Sequence, residues 1–368
     1  MGIRRTSVRL AALTAGMLAT WPAGAPFPGA SAATVSGAAG TCFHPSRIAP
    51  AVVLGAVTAV SASDAWAVGS TPFPFKPVIV HWNGSSWTTV SSPVLQTPGL
   101  LFGVAGFHGG IWAVGTSGQS GGGQHRTHLI LRVTGSTVRT VPTPGPQPGA
   151  ILSVTATSAR NAWAVGYVLR GGSLILRWDG TAWKRSLIPS ALRRGRINAV
   201  TATSATNAWA VHTRDGKDSQ LWHWNGRSWS HVATPAIAGQ TYLLNAVTAT
   251  STRNAWAVGE TELNGDTVIL HWNGARWRRT RSPNLPAPAG DFLGSVSASS
   301  TNDAWAVGST TKGNILAEHW DGTSWRVVRV GCGSFAGVSM LPSGRGWAVG
   351  APQINRWNGT AWKPVPLS

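Results

Sequence analysis

The stretch DAWAVG, residues 64–69, decides the fold because it returns along the whole chain. NAWAVG occupies residues 161–166 and 254–259, and DAWAVG itself recurs at residues 303–308. Repetition at a period of about 20 to 50 residues is typical of solenoids, propellers and other arrays. Seven copies carry this tryptophan or its equivalent, 42 to 51 residues apart: Trp66, Trp112, Trp163, Trp209, Trp256, Trp305 and Trp347.

Each copy contains four short runs with the character of β-strands. In the fifth copy they are LNAVTAT (244–250), AWAVG (255–259), TVILHW (267–272) and RWRRT (276–280). The runs are short, rich in Val, Ile, Thr and Trp, and separated by Gly, Asn and Pro, which argues against helices. A repeated unit of four short antiparallel strands predicts an all-β protein, a single seven-bladed β-propeller. The alternatives are a β-solenoid or two smaller sandwiches.

The expected β-propeller covers residues 52–368. Its blades are expected at about residues 52–92, 100–142, 151–188, 197–234, 244–282, 293–330 and 334–368. Residues 1–32 have the pattern of a signal peptide: three arginines, the apolar LAALTAGMLATW (10–21) and small residues at 30–32. Residues 33–51 form an N-terminal segment. We therefore expect a secreted or cell-surface protein without a transmembrane segment in the mature chain.

A hairpin turn joins the third and fourth runs in most copies, as in HWNGSSW (81–87). Asn-Gly between two strands predicts a two-residue hairpin. With Asn83-Gly84 at its centre, Trp82 is expected opposite Ser85 and Val80 opposite Trp87. Both tryptophans then share one face of the sheet.

Alternation along DAWAVG predicts one large and one small face. Trp66 and Val68 point one way, and Ala65 and Ala67 the other, so neighbouring copies can interdigitate. The innermost run carries a hydroxyl at one equivalent position in six copies, and we expect it to hydrogen-bond between blades rather than bind a ligand. These residues are Thr58, Thr155, Thr201, Thr248, Ser297 and Ser339.

Histidines recur at one equivalent position: His81, His223, His271 and His319. Equivalent positions on different blades are too far apart to share one metal ion, so we expect packing and hydrogen bonding beside the turn. The residue before AWAVG varies between Asp and Asn, as at Asp64 and Asn254, which predicts a turn former bonded to its own backbone.

The only two cysteines lie just before the first and the seventh blade, which are neighbours in a closed ring. In an exported chain this predicts a Cys42–Cys332 disulfide that fastens the closure. Two unpaired, buried thiols are the alternative.

The fifth copy, LNAVTATSTRNAWAVGETELNGDTVILHWNGARWRRT (244–280), resembles the secreted bacterial propellers of the tectonin and Asp-box (BNR-like) kind. Tectonins have a Val/Ile-rich inner strand, a strand with a Trp, and a short hairpin that ends in Trp. Asp-box proteins place an acidic or amide turn just before an aromatic residue, as WDGTSW (320–325) does. The resemblance covers all seven copies in outline. It implies the propeller fold and binding to glycans, lipopolysaccharide or cell surfaces, and it implies no catalytic residue.

Composition and motifs favour binding over catalysis. With 43% hydrophobic and 11% charged residues the chain is not disordered. No clear Ser/His/Asp arrangement and no sialidase-like arrangement with a nucleophilic Tyr is evident. We expect no enzyme and no cofactor. Glu260, Glu262, Asn264 and Asp266 alternate as calcium ligands could, although Asn264-Gly265 is also a plain hairpin turn.

The loops differ strongly between the two faces of the expected ring. Loops after the first and third runs are uniform, whereas loops after the second run and between blades vary, as in STPFPFKP (70–77), and variable loops on one face often bind a ligand. Unselected loop drift is the alternative. The candidate ligand-binding residues are the basic ones on that face: Lys76, Arg126, Arg170, Arg193, Arg194, Arg196, Arg214, Lys217, Arg281 and Lys312.

The net charge points to the same kind of partner. It is +19 for the whole chain, and +16 remains without residues 1–32. Such a charge favours acidic partners. We expect an exported, monomeric binding module for a glycan, wall polymer or anionic lipid surface, and no nucleic acid. The alternatives are a polysaccharide hydrolase or lyase of the sialidase-like kind and a scaffold that binds a protein partner.

Overall fold

The predicted seven-bladed β-propeller is confirmed in the part of the chain that the structure describes. The computed structural model describes residues 52–118, 126–145, 148–169, 171–214, 219–283, 290–351 and 353–368. These residues form seven antiparallel sheets, each made of four strands that are consecutive in sequence.

The first four blades have the following strands. Blade 1 contains β1 Val53–Ser61, β2 Asp64–Ser70, β3 Pro77–Trp82 and β4 Trp87–Thr89. Blade 2 contains β5 Gly99–Phe107, β6 Gly110–Ser117, β7 Thr127–Thr134 and β8 Thr137–Thr140. Blade 3 contains β9 Gly149–Ser158, β10 Asn161–Val168, β11 Gly172–Trp178 and β12 Trp183–Arg185. Blade 4 contains β13 Arg196–Ser204, β14 Asn207–Thr213, β15 Gln220–Trp224 and β16 Trp229–Val232.

Three further blades complete the ring. Blade 5 contains β17 Tyr242–Ser251, β18 Asn254–Thr261, β19 Thr267–Trp272 and β20 Trp277–Thr280. Blade 6 contains β21 Phe292–Ala298, β22 Ala304–Ser309, β23 Ile315–Trp320 and β24 Trp325–Val327. Blade 7 contains β25 Gly337–Met340, β26 Gly346–Val349, β27 Ile354–Trp357 and β28 Trp362–Val365. Two short 3-10 turns, Pro93–Gln96 and Ser190–Leu192, lie between blades.

The ring closes between blade 7 and blade 1. Each innermost strand contacts the innermost strand of the next blade, and β25 contacts β1. The C-terminus adds a second contact, because Leu367 forms a parallel bridge with Trp87 and the Ser368 N–H donates to the Trp87 carbonyl at 2.9 Å. Every blade nevertheless keeps an outer strand of its own.

The core is a series of interfaces between blades, and tryptophan triads fill most of them. Trp256 of blade 5 is fully buried, with its ring centroid 5.1 Å from both Trp320 and Trp325 of blade 6. Ala304 and Ala306 of blade 6 pack in the same cluster, as predicted for the small face. Equivalent triads are Trp112 with Trp178 and Trp183, Trp163 with Trp224 and Trp229, Trp209 with Trp272 and Trp277, Trp305 with Trp357 and Trp362, and Trp347 with Trp82 and Trp87.

The interface between blades 1 and 2 lacks a triad. Trp66 packs in a cluster that contains Val133 and Val138, the blade 2 residues at the positions of the hairpin tryptophans. This copy of the repeat has valines in place of both hairpin tryptophans.

The predicted register of the third–fourth hairpin was wrong. Trp82 lies directly opposite Trp87, so the loop has four residues, 83–86, rather than two. The Asn83 side-chain oxygen accepts hydrogen bonds from the Ser85 and Ser86 N–H groups, both at 3.0 Å, and Gly84 takes a φ of 101°. This side-chain-closed turn competes with the two-residue hairpin that Asn-Gly suggests. Both tryptophans still share one face, because they are direct partners.

The recurring histidines pack on the tryptophan of their own blade, as expected. The His81 ring stacks on Trp66 at 3.9 Å, and the His271 ring stacks on Trp256 at 4.1 Å. His81 Nε2 donates to the Asp64 carboxylate at 2.9 Å, and His271 Nε2 donates to the Asn254 side-chain oxygen at 2.8 Å. These Asp and Asn residues therefore hold a histidine. The expected bond to their own backbone was wrong, because the imidazole comes within reach only once the third strand pairs.

Hydroxyl groups of the inner strands hydrogen-bond between blades, as predicted, at three of the six positions. Thr58 Oγ1 accepts from the Gly106 N–H at 3.2 Å, and Ser339 Oγ accepts from the Ala59 N–H at 2.9 Å. Ser297 Oγ accepts from the Met340 N–H at 2.9 Å. These bonds fasten neighbouring inner strands where no sheet ladder connects them.

Several predictions concern residues outside the described ranges. They are the signal peptide at 1–32, the segment 33–51 and Cys42. Cys332 is described and is not a free thiol. The Cys42–Cys332 pairing stays a prediction. Among the described residues, no helix has the length and apolar character needed to cross a bilayer.

Candidate functional site

The ring has two faces that differ in how tightly their loops are held. We call the face with the first–second and third–fourth turns of each blade the constant face. There the two turns of a blade touch: Trp82 Nε1 donates to the Ala62 carbonyl at 3.3 Å, and Trp178 Nε1 donates to the Ala159 carbonyl at 3.1 Å. The opposite face, with the second–third loops and the segments between blades, is the variable face.

Acidic residues of the constant face turns are paired. Lys184 Nζ lies 2.6 Å from Asp179 Oδ2, and hydrogen bonds from Lys184 and from turn amides hold the pKa of Asp179 well below its usual range. Arg326 lies 3.0 Å from Asp321. Structural pairing therefore accounts for the carboxylates of these turns.

Eight of the ten predicted basic residues are described, and all eight belong to loops or strand ends of the variable face. Arg170 and Lys217 lie outside the described ranges. Lys76 donates to Gln96 at 3.2 Å in blade 1. Arg281 and Lys312 are exposed in blades 5 and 6. The other five lie on consecutive blades 2 to 4, and we call them the basic arc: Arg126, Arg193, Arg194, Arg196 and Arg214.

The segment between blades 3 and 4 holds the middle of the basic arc. Gly172 (φ 82°) lies so close to this segment that a Cβ at Gly172 would be 1.7 Å from the Arg193 carbonyl oxygen. At Gly195 a Cβ would lie 2.3 Å from the Thr213 carbonyl oxygen. The backbone at 193–195 is thus clamped between the second–third loops of both blades, and the exposed Arg193 and Arg194 side chains extend from a fixed base.

His212 holds the same segment from the interior of the protein. It occupies the position at which the six other blades have a glycine, is fully buried, and donates from Nε2 to the Arg194 carbonyl at 2.7 Å. Burial lowers the pKa of His212, so the ring is neutral at neutral pH. The sequence signal for it is the change from AWAVG to AWAVH.

A hydrogen-bond chain orients Arg196. Its Nε donates to the Asn198 side-chain oxygen at 2.8 Å, and Asn198 Nδ2 donates to Thr213 Oγ1 at 3.0 Å. Thr213 in turn hydrogen-bonds to Ser219 at 2.8 Å. A half-buried guanidinium held in this way loses little side-chain entropy when it binds a carboxylate, phosphate or sulfate.

Tyr167 is the aromatic member of this region. Burial raises the pKa of its hydroxyl, and the positive charges of Arg126 and Arg196 oppose that rise. The same two charges therefore act on one half-buried hydroxyl, which can donate a hydrogen bond to a ligand. Sequence analysis did not select Tyr167. It directly follows the AWAVG motif of blade 3, at a position that is Glu260 in blade 5 and Ser, Thr or Ala in the other blades.

The described acids of the variable face lie on other blades than the basic arc. Glu260, Glu262 and Asp266 belong to blade 5, and Asp291 immediately precedes blade 6. Asp215 and Asp218, in the second–third loop of blade 4, lie outside the described ranges. Within the described residues, the variable face thus carries only basic charges over blades 2 to 4, whereas blades 5 and 6 carry these acids together with Arg281 and Lys312.

The structure gives the calcium prediction no support. In the described part of the chain, no group of three or more His, Cys, Asp or Glu side chains could hold a metal ion. The Glu260 carboxylate accepts from Asn245 Nδ2 at 2.6 Å, and the Glu262 carboxylate accepts from Thr241 Oγ1 at 2.5 Å. Their oxygens are committed to separate partners.

Two acids lie between blades 5 and 6, of which Glu318 is fully buried and Glu260 is partly buried. Burial raises the pKa of Glu260 to about 8 and that of Glu318 to about 7. Ser282 Oγ hydrogen-bonds to both Glu318 oxygens, at 3.1 and 3.0 Å, and also to Thr267, the direct strand partner of Glu260. Sequence analysis placed Glu260 among possible calcium ligands and gave Glu318 no role, although Glu318 interrupts a position that is Val80 or Leu270 in other copies.

Comparisons with known proteins confirm the fold. Neither a family model nor a curated protein sequence matches this chain. YCF48 from Cyanidioschyzon merolae is similar at TM-score 0.57 and 15% identity, over 83% of this chain and 95% of that one. YCF48 bound to D1 peptide is similar at TM-score 0.54 and 15% identity, over 82% and 89%.

A third solved structure is the GH74 xyloglucanase from Xanthomonas campestris. It is similar at TM-score 0.60 and 14% identity, over 83% of this chain and 52% of that one. At such identities the likeness shows the β-propeller fold alone. Membership of the tectonin or Asp-box family stays a prediction.

Proposed function

We propose that this protein is an exported binding module that holds an anionic glycan, wall polymer or other anionic surface against its variable face, over blades 2 to 4. One observation carries the proposal: five arginines lie together on consecutive blades, while the described acids of that face lie on blades 5 and 6. A face with one sign of charge in one sector attracts and orients an oppositely charged partner.

The chemistry of the basic arc suits carboxylate, sulfate or phosphate groups. A guanidinium presents a planar fork that pairs with two oxygens of such groups. Arg193, Arg194 and Arg214 are exposed and can follow a chain-like ligand, whereas Arg196 is pre-oriented by Asn198. Tyr167 adds a hydroxyl donor beside them, as a sugar hydroxyl requires.

A peptide or protein partner is the second candidate. Its support is that YCF48, a propeller of similar fold, is known bound to D1 peptide. For this chain the same basic arc would favour an acidic peptide.

Catalysis receives less support. A glycosidase needs two carboxyl groups about 5 to 9.5 Å apart that flank an open site. Glu318 is fully buried at a blade interface and accepts hydrogen bonds from Ser282, and the partly buried Glu260 accepts one from Asn245. A substrate would have to separate the two blades to reach Glu318.

Binding at several salt concentrations tests the proposal. We would measure the affinity of the full chain for polygalacturonate, for lipoteichoic acid, and for neutral dextran. The expected result is binding to at least one polyanion that weakens as salt screens the arginines, and none to dextran. Absence of binding to every polyanion at low salt contradicts the proposal, and so does dextran binding that equals or exceeds polyanion binding.

A further inference from the structure

Three second–third loops of the variable face present a large apolar side chain to solvent. The residues are Phe73 in blade 1, Leu169 in blade 3 and Leu263 in blade 5, which are 79%, 42% and 69% exposed. We call them the apolar tips. They belong to alternate blades, so they are spread around the ring instead of forming one patch.

Cations occupy the corresponding loops of the blades between them. Arg126 lies in blade 2, Arg214 in blade 4 and Lys312 in blade 6. From blade 1 to blade 6, the described parts of these loops therefore carry an apolar tip on alternate blades and a cation on the blades between them. The blade 1 loop also holds Lys76, and the blade 5 loop also holds Glu262 and Asp266.

The loops beneath two of the tips are closed by hydrogen bonds. In blade 1 the Thr71 N–H donates to the Lys76 carbonyl at 3.0 Å, and the Lys76 N–H donates to Thr71 Oγ1 at 3.0 Å. In blade 5 the Thr261 N–H donates to the Asp266 carbonyl at 2.9 Å. Both loops are thus fixed in a shape that keeps Phe73 and Leu263 outside the core.

Exposed apolar residues are rare on the opposite face. Among the large apolar side chains that are exposed in the described residues, only Val60 lies at the constant-face end of a strand. Val53 begins β1 at the variable-face end, and Leu187 belongs to the segment between blades 3 and 4. Exposed large apolar side chains are therefore concentrated on the variable face, which also carries the loops that differ between blades.

Separate apolar tips with cations between them fit a lipid surface better than a folded partner. Protein interfaces bury a contiguous apolar centre within a polar rim. A bilayer instead takes up isolated apolar side chains at the acyl boundary while Lys and Arg contact anionic headgroups. From this arrangement we infer that the variable face docks on an anionic lipid bilayer and inserts the apolar tips. The inference rests on the proposed function, since it uses the same face.

Vesicle binding tests the inference. We would measure sedimentation of the full chain with vesicles of equal parts phosphatidylglycerol and phosphatidylcholine, and with phosphatidylcholine alone. The tip variant combines Phe73→Ser, Leu169→Ser and Leu263→Ser. It should partition at least about tenfold more weakly, because apolar area no longer enters the bilayer. Val60→Ser on the constant face is the matched control and should bind as wild type. Leu263→Trp should bind more tightly, since indole favours the membrane interface.

Polygalacturonate binding separates this inference from the proposed function. The tip variant should keep that binding, which also shows that it is folded. If wild type binds polygalacturonate but neither kind of vesicle, or if vesicle binding survives in the tip variant, the bilayer inference fails while the proposed function stands. Capture of an acidic protein with no vesicle binding would equally overturn it. If wild type binds neither vesicles nor any polyanion, both fail.

Discussion

At the scale of single residues, Glu318 shows how one change within a repeat places a titratable carboxyl group in the core. Alternation along ILAEHW (315–320) places Glu318 on the small face, opposite Ala306, where other blades carry an apolar residue. Burial raises the pKa of Glu318 to about 7, although the Ser282 hydrogen bond lowers it, and the charge of Asp291 raises it further. The sequence could have located this acid by aligning the copies. It could not supply Ser282, which follows the outer strand of the preceding blade.

The raised pKa values predict a falling stability between about pH 5 and pH 8. A carboxyl group whose pKa rises on folding keeps its proton in the folded state. Its contribution to stability is complete below the unfolded pKa and is lost as the pH rises through the folded pKa. Glu318→Gln should therefore flatten the pH dependence of the free energy of unfolding in urea. Asp321→Asn, in an exposed turn, is the control. An unchanged slope in Glu318→Gln would contradict the burial argument.

The residues of the basic arc could be predicted from the sequence, but the residues that support them could not. Counting arginines in variable loops identified all five members. Tyr167, Asn198 and His212 were missed, because their roles depend on neighbours from other strands: Arg126 and Arg196 act on Tyr167, and His212 supports the backbone of Arg194.

At the scale of strands and blades, the tryptophan triads explain the repeat. The small face of one blade makes room for the large tryptophan of its neighbour, as the alternation of DAWAVG predicted. The hairpin register was not predicted correctly, because the Asn83 side chain closes a four-residue loop that the Asn-Gly pair alone does not indicate. The register error is two residues, and it left both tryptophans on one face because side chains alternate along a strand with a period of two.

The blade interfaces predict different costs for equivalent tryptophans. Trp256→Ala should lower the free energy of unfolding by roughly 3 to 5 kcal/mol, because it empties a triad. The loss for Trp66→Ala should be smaller, because Val133 and Val138 stand where Trp256 has two paired indole rings. Each missing aromatic pair should reduce the loss by about 0.5 to 1.5 kcal/mol. Urea unfolding of both variants measures the difference. Equal losses would show that the triads add nothing beyond buried area.

At the scale of the whole molecule, the ring brings together loops that are distant in the chain. Seven copies of one unit were enough to predict the ring and its two kinds of face. Which loops became neighbours depended on the close approach of Gly172 to Arg193 and of Gly195 to Thr213. The separation of the basic arc on blades 2 to 4 from the described acids on blades 5 and 6 likewise appears only when the loops are placed in ring order.

Ring closure carries its own prediction, a disulfide between Cys42 and Cys332. Mass spectrometry of peptides from the unreduced chain should find the two linked. Cys332→Ser should then lower the free energy of unfolding, by at most roughly 4 to 5 kcal/mol for so long a loop. Wild type measured under reducing conditions is the control and should match the variant. Two free thiols in the unreduced chain would contradict the prediction.

The central claim is that the variable face over blades 2 to 4 binds an anionic partner. It is tested most directly by comparing two charge-matched variants with the polyanion that wild type binds best. One changes the basic arc, Arg126, Arg193, Arg194, Arg196 and Arg214, to Gln. The other changes five exposed arginines of the constant-face turns, Arg160, Arg227, Arg253, Arg276 and Arg345, to Gln.

Both variants lose the same charge, so a difference between them reports position alone. We predict that the affinity of the basic-arc variant falls at least about tenfold and loses much of its salt dependence, while the constant-face variant stays within about twofold of wild type. Equal losses in both variants, or a larger loss in the constant-face variant, would contradict the claim.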